Sequence, residues 1–349
     1  MPTFANTQVH MTPQTLTTTL QLNEIVDLLV ARAPDGSTRT RGWRGITDDL
    51  ERPVISDDAG SAVPELWAAD PAYQVPERVA ARLVWWEKRA VENLTSGSTE
   101  AWFKDGVDVL ISKASGGYLL LWSTNDPRLI KDPTRRQTVG SAVDALLTAL
   151  RRRDSGANIS SSSVLSFDRE AYLWLTNAAE TKKDIGHSVT VTKIASMGTN
   201  ELNGRQQLTN RLNGEVNLVR TSFLSALGSG AELGPADVEF TERGPNGRIE
   251  HTTARIIVSG GAKLLAGDSK YEALLTGVFK RLRVAERLAY RYLPLVRDGH
   301  IDDTNWGTAE RDLLILEKQV LLVKEFRRRA KLNAQYPAWV AAGGDIDSD

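Results

Sequence analysis

Asp268 and Lys270 stand two positions apart, shortly after the paired glycines Gly260-Gly261. If Leu264 to Lys270 is extended, the carboxylate and the ammonium project from one face of a strand. A second carboxylate on a neighbouring strand would complete an oxygen-ligand site for a hard divalent cation such as Mg2+, with the lysine orienting or deprotonating water. Chemistry of that kind suits phosphodiester hydrolysis. Downstream, Lys280, Arg283, Arg287 and Arg291 follow at helical spacing, while Leu275, Phe279, Leu282, Ala289 and Leu293 take the opposite side. Guanidinium groups in a row can neutralise successive phosphates. This basic ridge is therefore the candidate nucleic-acid contact, extended by Arg327-Arg328-Arg329. It also reads as a solvated face, with Glu272 and Glu286 as local partners.

The order strand, Gly-Gly, strand, Asp-Ser-Lys-Tyr, helix resembles the PD-(D/E)xK restriction-nuclease core, in particular that of the McrC-type subunits of modification-dependent restriction systems. The resemblance runs from Ala254 to Tyr271. It implies a Mg2+-dependent endonuclease of defence or DNA processing, with Asp268 as a metal ligand and Lys270 assisting the water. In that family the first acid precedes the strand before the glycines, and here Ala254-Arg255 occupies that place. Asp237, or Glu239 on the same strand face, could supply the missing catalytic acid from the preceding hairpin arm, Asp237 then sharing the metal with Asp268. Otherwise the fold is kept and the metal is lost. Asp-Ser-Lys before a helix also reads as an ordinary N-terminal cap. A rival pattern, Asp168 with Glu180-Thr-Lys182, fails because Asn177-Ala-Ala179 is not strand-like.

Composition narrows the alternatives. The chain has no cysteine, which excludes disulfides, thiolate zinc sites and a cysteine nucleophile. Its four histidines never fall at i, i+4. No G-x-S-x-G, GxGxxG or GxxxxGK[ST] pattern occurs, so neither a serine nucleophile nor a nucleotide cradle is expected. The nine tryptophans are scattered, as core residues would be. With 43 Lys+Arg against 44 Asp+Glu, the chain is not a polycation coating nucleic acid. Neither a secretory leader nor a spanning run of ~18 apolar residues is visible, so a cytoplasmic protein, or one carried inside a particle, is expected, with no membrane partner.

The elements that must position these residues follow from periodicity. Leu22, Ile25, Val26 and Leu29 mark a short helix over Leu20 to Ala33. Val79, Leu83, Trp86, Ala90 and Leu94 predict another, begun at Pro76 and ended at Ser96-Gly97. Val107 to Ser112 and Tyr118 to Ser123 form a hairpin around Lys113 to Gly117. A helix covers Gln137 to Arg153, a strand Ser188 to Ile194, and a helix Gln206 to Leu227. A second hairpin, Asp237 to Glu242 with Arg248 to Val258, turns at Gly244-Pro-Asn-Gly247. A strand over Ala262 to Ala266 precedes a long helix from Tyr271 to Leu293, ended by Pro294, and a last helix from Thr308 to Leu332.

The expected class is α+β: a mixed N-terminal region (1–153) with a β-hairpin, a Ser-rich linker (154–163), a C-terminal region (164–340) of antiparallel strands followed by two long helices, and an acidic tail (341–349). Two functions fit. One is a nucleic-acid-associated, restriction-type nuclease, active with Mg2+ or degenerate. The other is a non-enzymatic structural or assembly protein, such as a nucleoprotein, coat or complex subunit, that self-assembles or joins protein partners and binds nucleic acid through a basic helix.

Overall fold

The computed structural model describes residues 9–32, 40–47, 54–55, 62–93, 97–124, 128–131, 141–162, 165–203, 206–213, 232–244, 247–257, 261–264 and 280–342. The fold is α+β. The first half runs β1 (Val9–Thr17), α1 (Leu22–Val30), β2 (Gly42–Arg44), β3 (Val54–Ile55), β4 (Glu65–Trp67), β5 (Arg78–Asn93), β6 (Gly97–Ala114), β7 (Gly117–Thr124), α2 (Arg128–Lys131), α3 (Ala142–Leu150) and β8 (Asn158–Ser161). The second half runs α4 (Arg169–Thr181), β9 (Val189–Asn203), β10 (Gln206–Asn213), β11 (Glu232–Arg243), β12 (Ile249–Ile256), β13 (Ala262–Leu264), α5 (Lys280–Arg287), a π-helical turn (Leu288–Tyr292), α6 (Leu293–Asp302), a second π-helical turn (Trp306–Glu310), α7 (Arg311–Lys331) and α8 (Tyr336–Ala341).

The strands join in one antiparallel sheet of order β10-β9-β11-β12-β13-β1-β7-β6-β5-β2, with β3 beside β6, β4 beside β5 and β8 beside β1. β1 connects the two halves. It pairs along one edge with β7, and along the other with β13 (Met11 opposite Ala262) and β8 (Gln14 opposite Ser161). Side-chain alternation sends neighbouring residues to opposite faces. Val109, Ile111, Leu120 and Trp122 join a core with α1 and α3, while Leu110 and Leu121 join the core under α4 and the C-terminal helices.

Both expected hairpins are present. β6 and β7 close with Ala114 opposite Gly117, and β11 and β12 pair from Ala236–Ile256 to Arg243–Ile249. Three expectations are corrected. The segment expected to be a helix from Pro76 is the 16-residue strand β5. Its apolar run is buried on both faces, Val79, Ala81, Leu83 and Trp85 on one side and Ala80 on the other, so helical and strand periods coincide. Arg82 faces Asp108 of the adjacent strand β6 in a buried two-contact pair at 2.5 and 3.0 Å. Gln206–Asn213 is strand β10, not the start of a helix; the rest of that expected helix lies outside the described residues. Pro294 does not end its helix. The π-helical turn before it shifts the ladder to an i→i−5 bond, Leu293 N–H to the Leu288 carbonyl, and α6 continues with the proline in its first turn.

The Ser-rich stretch expected as a linker contains β8. It is held to the sheet by the Asp154 carboxylate, which accepts from the Thr18 hydroxyl and the Thr19 amide, each at 2.7 Å. Among the described residues, no helix is long and apolar enough to cross a membrane.

Candidate functional site

Alternation along β11 and β12 decides where each acid points. Ala236, Val238 and Phe240 enter the core, so Asp237 and Glu239 lie on the other face. Asp237 is opposite Arg255, whose guanidinium grips its carboxylate at 2.5 and 2.7 Å. The Glu239 carboxylate accepts from the Thr192 hydroxyl at 3.1 Å and meets His251 Nδ1 at 3.4 Å. A cation at Asp237 would have to displace a bidentate guanidinium, so the residues described there do not fit a Mg2+ site. Asp268 and Lys270 lie outside the described residues, as does the side chain of Lys280.

The core-facing phase continues to Glu242, and across the hairpin to Glu250 directly opposite. Both are buried, at 3% and 1% exposure. Two like charges opposite each other in a sheet repel, and the basic residues of the following helix answer them. Arg287, itself 2% exposed, pairs with Glu250 and reaches Glu242 at 3.5 Å. Arg291 Nε lies 2.9 Å from Glu242, while its Nη2 donates to the His187 carbonyl at 3.1 Å. The Tyr292 hydroxyl donates to Glu242 at 2.7 Å. Burial, the largest single influence, lowers the Arg287 pKa, but Glu250, Tyr73 and Tyr292 together turn the net shift upward. Burial also raises the pKa of Tyr292.

A second knot lies one turn earlier. Arg78 of β5 pairs with Glu286, which also accepts from Arg283 at 2.8 Å, and the Arg78 and Arg283 guanidinia lie over the Trp67 ring at 5.3 and 4.7 Å. The expected ridge thus divides. Arg283 is partly exposed, whereas Arg287 and Arg291 turn inward onto carboxylates and clamp α5 and its π-helical turn to the sheet. Glu242 and Glu250 were missed from sequence, although their register from the Gly244–Gly247 turn places them inward with Val238 and Phe240.

The other notable surface belongs to α7. Its inner face is anchored by buried Leu314 and by Lys318, whose ammonium meets Glu180 of α4 at 2.5 Å; Arg311 adds a pair with Glu170 at 2.7 Å. The opposite face exposes Leu313 (55%), Leu316 (56%), Val320 (44%) and Val323 (49%), with Phe326 beside them. These four follow at spacings of three, four and three, a continuous apolar seam on the outside of a helix. Sequence periodicity holds this signal, but it could not say which side of so apolar a helix the body covers. Comparison of the chain with protein-family models, with curated proteins and with solved structures finds no match.

Proposed function

We propose that this protein is a non-enzymatic assembly subunit that presents helix α7 to another protein chain. The observation that carries this reading is the apolar seam on the outer face of α7, opposite the face that anchors it. Large apolar side chains gathered on a helix exterior mark an interaction surface rather than ordinary scatter. The Arg–Glu clamp supports the same reading, because phosphate contact by Arg287 and Arg291 would require them to leave buried carboxylates unpaired. Asp237, bound by Arg255, supports it as well.

Incubating the full chain with DNA or RNA and Mg2+, beside Asp268→Ala and Lys270→Ala, tests the reading. No cutting is expected from any of the three. Cutting by the parent chain that both substitutions abolish would establish a restriction-type nuclease and overturn the assembly reading.

A further inference from the structure

We infer that the partner of α7 is a second copy of this chain, bound through an antiparallel pairing of the two α7 helices. The inference rests on the assembly reading and names its partner. Leu313, Leu316, Val320 and Val323 occupy alternate a and d positions of a heptad seam, which Arg327 and Ala330 continue. The charges beside the seam then choose the direction. Two acids flank the seam near the start of the helix, Asp312 on one side and Glu317 on the other, and Lys324 stands on the same side as Glu317 seven residues on.

In a parallel, in-register pair, Arg327 would face its own copy across the seam and Asp312 would face Glu317 of the other chain, so every charged contact repels. In the antiparallel pair Val320 meets Val323, Leu316 packs on the aliphatic stem of Arg327, and Glu317 meets Lys324 on both sides of the two-fold axis. Antiparallel pairing also puts the two anchored ends of α7, and hence the two bodies, at opposite ends of the helix pair.

Light scattering on the full chain should give twice the monomer mass, falling to one copy in Val320→Asp with Val323→Asp. Both positions are exposed, and an unchanged circular dichroism spectrum would show that the fold survives. Glu317→Lys should weaken dimerisation by about tenfold, as attractive flank contacts become repulsive, and adding Lys324→Glu should restore it; strengthening by Glu317→Lys would indicate the parallel pair and overturn the inference.

Because the chain has no cysteine, single thiols give an independent reading. Leu316→Cys mixed with Arg327→Cys should form an intermolecular disulfide on oxidation, while Leu316→Cys alone should not. Self-linking of Leu316→Cys, or a monomeric mass for the parent chain, overturns the inference. The nuclease assay is blind to dimerisation, so its outcome bears on the assembly reading alone.

Discussion

Arg287 lies between two carboxylates that the sheet register forces together, so its role is to make that register tolerable. Removing it leaves Glu242 and Glu250 buried, facing each other, with Arg291 as the remaining guanidinium at Glu242. Breaking a buried pair in this way costs about 3–5 kcal/mol. Arg287→Ala should therefore lower the urea-unfolding free energy by about that amount, whereas Arg328→Ala, at an exposed pair with Glu325, should change it little. Equal effects would show that the clamp carries no special load. Asp303 makes a related prediction for pH. Burial, the largest single influence, raises its pKa, but the Lys183 ammonium and hydrogen bonds from Trp174 Nε1 and the Trp306 amide together turn the net shift downward. A lowered folded pKa contributes stability that is present above the unfolded carboxylate value of ~3.9 and is lost as pH falls through the folded value. Urea midpoints below pH ~4 should fall more steeply for the parent chain than for Asp303→Asn. Parallel curves would dismiss the link.

At the scale of elements, the hairpin of β11 and β12 sets the register on which the clamp depends. Gly247 closes it with φ of 76°, and a Cβ added there meets nothing within 4 Å. A substitution would thus report backbone conformation alone. Gly247→Ala should cost about 1–2 kcal/mol, and Gly247→Asn less, since asparagine visits the left-handed region more readily; the ranking can be read from thermal melts, and an alanine variant as stable as the parent would refute the argument. This hairpin was legible in the sequence because turn residues and alternating apolar residues agree, as they do around Gly116. β5 was not legible. Burial on both faces erases the two-residue period, and Val79 and Leu83 then satisfy a helical spacing equally well. Continuation through Pro294 was hidden for a different reason, since a π-helical turn has no sequence signature comparable to the proline it accommodates. For the site, the spacing of Lys280, Arg283, Arg287 and Arg291 was visible, but not the direction in which the last two point. That depends on Glu242 and Glu250, brought to the helix by the sheet.

For the molecule as a whole, β1 is the strand that joins the two halves of the sheet, and like β5, β6 and β7 it contributes to both cores. It lies between β7 of the first half and β13 of the second, and its residues divide between the faces: Met11, 1% exposed, enters the core beneath α4, and Leu16, fully buried, enters the core of α1 and α3. The strand that links the halves thus carries both cores, and loosening it from either face should loosen the other. Leu16→Ala deletes buried methyl groups in one core only, at a cost of about 2–5 kcal/mol. If the sheet couples the cores, hydrogen exchange measured by mass spectrometry should accelerate in β11 and β12, which Leu16 does not touch, as much as in β6 and β7. Met11→Ala should give the same pattern from the opposite face. Retained protection of β11 and β12 in Leu16→Ala, beside lost protection of β6 and β7, would show that the halves unfold independently despite sharing a sheet. The position of β1 argues against that outcome, because β7 and β13 are both hydrogen-bonded to it and, among the described residues, no other strand bridges them.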